Sequence, residues 1–307
     1  MTELRLPVPE GVEVIDVGLF GAQGLSCSYL IDAAQPALIE TGPATVFDTL
    51  RAELTARDVE PAHVVLSHIH LDHAGGVGHV ARLFPGATIW VHDVGARHVV
   101  DPTRLVASAR RLFGDSLDTL YGEPDPVPEE RLRAMSEGDV IDLGDRELRV
   151  MYTPGHASHE VTLYEPDTRT AFVGDTAGVC YGEHWQKPAT PPPEFDLEAA
   201  LDSLRRVKDL NAETICFTHF GPGAESVLDE AAADLRAWDR VLRPLVLRGA
   251  ETEELVAAID PVAGHPPGTA AYREAAETLS SNENSVLGYV RYYRKRVLDA
   301  ESASPKT

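Results

Sequence analysis

An α/β sandwich followed by a helical appendage is the fold class that the sequence predicts, and three observations carry it. Short β-rich runs open the chain, strands then alternate with amphipathic helical segments over the first two thirds, and beyond residue 223 the pattern is helical throughout. Residues 12–17, 26–31 and 37–39 read as strands, separated by Gly or by the break Asp32-Ala33-Ala34-Gln35-Pro36. Val46, Leu50 and Leu54 then recur at four-residue spacing, which predicts a helix over 46–54. Val64, Val65 and Leu66 form a buried type of strand that stops at Ser67, and the loop after it is dense in His and Asp and closes with Gly75-Gly76.

A strand at 88–92 leads into an insertion at about 93–139. It reads as short helices, 105–113 and 116–121, broken by Pro124, Pro126 and Pro128, and suits a lid over a pocket. Strands resume at 147–152, 161–164 and 171–173. A Pro-rich loop at 188–193 precedes a helix over 195–210 with Leu197, Ala200, Leu201 and Leu204 on one face, and a last strand, 214–217, ends at Thr218-His219. Helices are expected at about 224–248, 252–258, 270–279 and 284–298. The chain therefore divides into a catalytic domain, 1–222, and a C-terminal helical subdomain, 223–307.

Composition narrows the partners. Of 307 residues, 49 are acidic and 27 basic, a formal charge of −22, and only Lys187, Lys208, Lys295 and Lys306 are lysines. That average field repels polyanions, so no nucleic acid and no anionic membrane surface is expected, and a small-molecule substrate becomes the default partner. A homodimer stays open. Three cysteines without a close pair suit a reducing compartment, and neither a signal-peptide pattern nor an apolar run of about 18 residues is present, so a cytoplasmic location is expected.

The chemistry concentrates in Ser67-His68-Ile69-His70-Leu71-Asp72-His73-Ala74-Gly75-Gly76. Three histidines and an aspartate at the mouth of a strand match the needs of a divalent metal, since imidazole nitrogen and carboxylate oxygen bind such ions at roughly 2.0–2.2 Å. His68 and His70, two apart in extended chain, point the same way, while Asp72 and His73 lie where the chain curls and can face a second ion. Further candidates follow later strands: His156 in Thr153-Pro154-Gly155-His156, Asp175 after Gly174, and His219 after Thr218.

With these residues the chain resembles the metallo-β-lactamase-fold hydrolases, over about residues 12–222. The HxHxDH motif stands as His68, His70, Asp72 and His73, and His156, Asp175 and His219 match the remaining ligand positions. The resemblance implies an αββα sandwich holding two divalent metal ions, Zn2+ in first place with Fe or Mn as alternatives. One ion would take His68, His70 and His156, the other Asp72, His73 and His219, with Asp175 bridging. One position departs: Glu40-Thr41-Gly42 stands where many relatives carry Asp-Thr-Gly or Asp-Ser-Gly, and the longer carboxylate is expected to orient a ligand histidine.

Two divalent ions activate a bridging water at neutral pH, which implies hydrolysis, with Asp72 as both ligand and proton acceptor. The expected substrate is a small ester, most readily a thioester as in glyoxalase II-like relatives or a lactone. The alternative on the same scaffold is a mononuclear iron enzyme like the persulfide dioxygenases; phosphodiesterase and β-lactamase activities rank lower. His159, Tyr181, His184 and Trp185 are candidates for contact with substrate, and Leu105, Val106, Leu112, Phe113 and Leu117 for an apolar wall. The final ligand lies in Thr218-His219-Phe220-Gly221-Pro222, unlike the Gly-His-Glu-Tyr-Thr of glyoxalase II proteins. The run Arg291-Tyr292-Tyr293-Arg294-Lys295-Arg296 reads as cations ending a helix, or as an anchor for an anionic substrate tail such as that of coenzyme A.

Overall fold

Six strands build a first sheet in simple chain order: β1 (Val12–Asp16), β2 (Cys27–Ile31), β3 (Ala37–Ile39), β4 (His63–Val65), β5 (Thr88–His92) and β6 (Leu132–Met135). The first two pairings are antiparallel; those from β3 to β6 are parallel. A second sheet holds β7 (Val140–Asp142), β8 (Glu147–Tyr152), β9 (Val161–Glu165) and β10 (Thr170–Phe172). After a two-stranded ribbon, β11 (Val179–Tyr181) with β12 (Trp185–Lys187), it is completed by β13 (Thr214–Phe217) and β14 (Gly221–Gly223). The computed structural model describes residues 6–182 and 185–303, with side chains described to residue 296, so His184 lies outside the described residues.

The sheets face each other across a core in which Tyr29, Ile39 and Val65 meet Val150, Leu163 and Phe172. Tyr29 and Phe172 pack edge to face, centroids 5.1 Å apart. On the outer face of the first sheet lie α1 (Phe47–Ala56), α2 (Leu71–Ala74), α3 (Val77–Leu83) and α4 (Asp93–Val100); Leu50, Leu54 and Val80 close over Val64 and Ile89. The rest of the insertion is α5 (Thr103–Phe113) and α6 (Leu117–Tyr121).

Over the second sheet pack α7 (Leu197–Asp209), α8 (Ser226–Leu247) and α9 (Thr252–Ala263), followed by α10 (Ala270–Leu279) and α11 (Asn282–Ala303). The Asp196 side chain caps α7 by accepting from the Ala199 amide at 3.0 Å, and Leu197, Ala200, Leu204 and Val207 turn inward. Trp238 of α8 and Tyr289 of α11 share one core with Ile215 and Phe217, so the C-terminal helices close the fourth layer of an αββα sandwich. Each large side chain buried there contributes roughly 1.5–3 kcal/mol. Among the described residues no helix is long and apolar enough to cross a membrane.

Four features differ from the sequence reading. The insertion is not helical throughout, because Leu132–Met135 returns to extend the first sheet as its edge strand β6. Gly221-Pro222-Gly223, at the expected boundary between the two domains, forms the edge strand β14, where a proline without an N–H is tolerated. The segment after Asp175, where no strand is expected, forms a two-stranded ribbon. Finally, α11 runs on to Ala303, which leaves the basic run 291–296 inside the helix rather than at its end.

Candidate metal centre

Within the second sheet, β8, β10 and β13 run in one direction and β9 opposes them, so the carboxyl ends of those three strands emerge at the same edge. Those ends carry His156, Asp175 and His219. The fourth contribution crosses from β4: residues 67–70 leave the first sheet, the Ser67 carbonyl accepts from the Val161 amide at 2.9 Å, and α2 then begins at Leu71. Gly174 permits the crossing, with φ +51° and a position where a Cβ would stand 2.5 Å from Ser67 Oγ.

The structure brings all seven candidate ligands together, with atoms of three overlapping groups within 4.8 Å of one another: His68, His70 and His156; His68, His73 and Asp175; Asp72, His73 and His219. His70 Nδ1 lies 3.0 Å from His68 Nε2 and 2.9 Å from His156 Nε2. In the other group, His219 Nε2 lies 3.1 Å from His73 Nε2 and 3.4 Å from Asp72 Oδ2. Asp175 stands between them: Oδ2 is 3.5 Å from His156 Nε2, whereas Oδ1 is 3.4 Å from His73 and 3.6 Å from His219.

The outward nitrogens decide what the inward ones can do. His156 Nδ1 donates to the Ala189 carbonyl at 2.9 Å and His219 Nδ1 to the Leu25 carbonyl at 3.0 Å, so both Nε2 atoms present lone pairs. His68 Nδ1 is likewise engaged by Ser67 Oγ at 2.9 Å, and His73 Nδ1 faces Glu40 Oε1 at 3.5 Å. Lone pairs converging at about 3 Å repel unless a positive charge sits among them. Two nitrogens bound tetrahedrally to zinc at about 2.0–2.1 Å are separated by about 3.3 Å, close to these spacings. Outward partners of this kind orient imidazoles on metals.

The electrostatics agree. Burial and the neighbouring histidines hold His68 well below the usual imidazole range and His70 at about 3, so both stay neutral ligands. Burial opposes charge on His73, yet Asp175, Asp72 and Glu40 raise it well above its ordinary value. Burial likewise opposes the charge on Asp72 and Asp175, but His73, with His219, holds both below the ordinary carboxylate range. This half of the site calls for positive charge. Asp175 Oδ1 is buried without a hydrogen-bond partner, as a carboxylate oxygen aimed at a cation would be. The residues fit a divalent metal.

A cavity of about 340 Å³ opens directly on this cluster, reaching His70, Asp72, His156, Asp175 and His219. Leu105, Ala109, Leu112 and Phe113 of α5 form one wall, Tyr121 lies beside them, and the junction of α10 and α11 forms the opposite side.

A model of the metallo-beta-lactamase superfamily matches residues 22–219, which contain every residue of the cluster. The chain belongs to that superfamily. A metallo-beta-lactamase fold-containing protein of Sulfurisphaera tokodaii is 27% identical over 171 residues, covering 55% of this chain and 64% of that protein. An acyl-coenzyme A thioesterase of Gallus gallus is 35% identical over 129 residues, 38% of this chain and 41% of the relative. An atrochrysone carboxyl ACP thioesterase of Aspergillus fumigatus is 27% identical over 214 residues, 68% and 56% respectively. Among solved structures, the archaeal superfamily protein from Sulfolobus tokodaii superposes with a TM-score of 0.71 at 21% identity, over 93% of this chain and 99% of that one. That likeness speaks for the superfamily fold.

The remaining site expectations divide. Glu40 is buried beside the cluster, and its Oε1 accepts from the Ser67 amide at 3.1 Å. His159 adjoins His68 and His70 without joining a ligand group; the Ile69 amide donates to its Nδ1 at 3.4 Å, and burial with His156 lowers it to about 3. Tyr181 and Trp185 do not line the cavity. They stack on each other, centroids 5.5 Å apart, and Trp185 Nε1 donates to the Ala263 carbonyl, because the ribbon turns both rings into a packing layer. Of the expected apolar wall, Leu105, Leu112 and Phe113 line the cavity, whereas Val106 and Leu117 pack around Leu71 and Tyr121. Sequence reasoning missed Glu160, a fully buried carboxyl that accepts from the Asp175 amide at 2.7 Å and is raised well above its ordinary range by burial. It also missed Tyr121, whose only sequence signal was a place in the insertion.

Proposed function

We propose that this chain is a dinuclear, zinc-dependent hydrolase of small thioesters with an apolar acyl group. The observation that carries the reading is the pair of ligand groups, each complete, at the floor of an apolar cavity. The names of the chicken and fungal relatives, both thioesterases, support it. His68, His70 and His156 would hold one ion, Asp72, His73 and His219 the other, with Asp175 between. When bound, such ions lower the pKa of water and polarise a carbonyl oxygen.

The chain's own residues supply position and proton transfer. Both close contacts of Asp72 to imidazole run through Oδ2, and the group is held ionised, so Oδ1 can accept the proton of the attacking water. The acyl carbon gains a bond to oxygen and loses its bond to sulfur, and the proton held on Asp72 passes to the departing thiolate. Tyr121, kept protonated by burial and by Asp72, lines the cavity as a hydroxyl donor. The α5 wall receives the acyl chain and keeps water from it.

The test is turnover of purified, zinc-loaded protein on a panel of acyl thioesters, lactones, phosphodiesters and a β-lactam. Thioesters should lead in kcat/KM. Faster cleavage of a lactone would move the reading to that ester, and oxygen uptake with a persulfide without hydrolysis would replace it by the iron enzyme.

A further inference from the structure

We infer that the groove between the segment 193–196 and the exposed face of α11 binds the phosphates of a phosphorylated thiol carrier, coenzyme A, and so selects acyl-coenzyme A among thioesters. The inference rests on the thioesterase reading and extends it to the leaving group. The groove has a volume of about 540 Å³, and Pro193 lines both it and the catalytic cavity. A ligand long enough to pass Pro193 would place its acyl end in the cavity and its thiol end in the groove. The size suits a nucleotide portion rather than a single carboxylate.

Three cations and two carboxylates, Glu194 and Asp196, line the groove, against 27 and 49 in the whole chain. In a protein of net charge −22 with four lysines, Arg291, Lys295 and Arg296 line one groove. The carboxylates there are already engaged. Glu194 accepts from the Ser158 amide at 2.9 Å and hydroxyl at 2.8 Å, Asp196 caps α7, and Glu198 pairs with Arg296 at 2.5 Å and accepts from the Tyr292 hydroxyl. Arg291 and Lys295, one helical turn apart on the same face, carry no ion pair among the described residues and project exposed cations into the groove. They lie well inside α11, so the helix dipole does not account for them. Guanidinium and ammonium groups together suit a phosphate.

The experiment compares a medium-chain acyl thioester of coenzyme A with the same acyl group on N-acetylcysteamine, which carries no phosphate. Arg291→Glu combined with Lys295→Glu should raise KM for the coenzyme A thioester at least tenfold. It should leave kcat within about twofold and the N-acetylcysteamine thioester unaffected; both side chains are exposed, and the neutral pair Arg291→Gln with Lys295→Gln should give a smaller rise. Arg294→Glu, a single charge reversal on the same helix outside the groove, should shift KM less than twofold and less than Arg291→Glu alone. No rise, an equal rise for both thioesters, or an equal effect of Arg294→Glu would overturn the groove, as would a loss confined to a thioester borne by a carrier protein. Should the wild type cleave neither thioester, the thioesterase reading falls, and calorimetric titration with coenzyme A decides the groove. Binding abolished in the double variant upholds it, and absence of binding to the wild type overturns it.

Discussion

Glu40 holds a left-handed backbone conformation, φ +64°, which costs a residue bearing a side chain about 1–3 kcal/mol. Its neighbours give the conformation a purpose: one carboxylate oxygen accepts from Ser67, at the start of the histidine segment, and faces His73 Nδ1. Glu40→Ala should leave the fold intact while weakening metal affinity 10–100-fold, read by competition with a chelator, because imidazole orientation depends on such outward partners. Affinity unchanged from wild type would show that Glu40 only packs. Glu40→Asp should fall between the two. The histidines themselves were legible because side-chain identity and spacing are local properties. Of their outward partners only Glu40 was: the Leu25 and Ala189 carbonyls reach His219 and His156 only once the strand ends converge, and a backbone carbonyl leaves no mark in a sequence.

At the scale of elements, α5 shows how an amphipathic pattern can serve a cavity instead of a core. It has no fully buried residue, although Leu105, Leu112 and Phe113 share a side, because that side faces the space above the cluster. Leu105→Ala with Phe113→Ala should therefore raise KM several-fold for long acyl chains and little for an acetyl thioester, with a small change in melting temperature. Trp238, fully buried in the opposite layer, is the contrast, since truncating such a residue costs about 3–5 kcal/mol. An equal effect on short and long chains would remove the acyl wall. The long helices were readable from their periodicity. The edge strands β6 and β14 and the ribbon were not, because three or four residues, one of them proline in β14, carry too little pattern, and pairing across the sheet decides them.

For the whole molecule, the sandwich is what turns scattered residues into one centre: three parallel-running strands of one sheet and one strand of the other deliver His156, Asp175, His219 and the His68–His73 segment to a single edge. The acidic composition takes on a narrower meaning there. Asp72 and Asp175 belong to a site that bound cations would neutralise, and Arg291, Lys295 and Arg296 of α11 line a groove that meets the cavity at Pro193. In the proposed function both ligand groups work together. The most direct measurement is thioesterase activity of metal-stripped protein against added zinc: activity should rise to a plateau at about two equivalents per chain. A plateau at one equivalent, or no thioester cleavage at two, would contradict it.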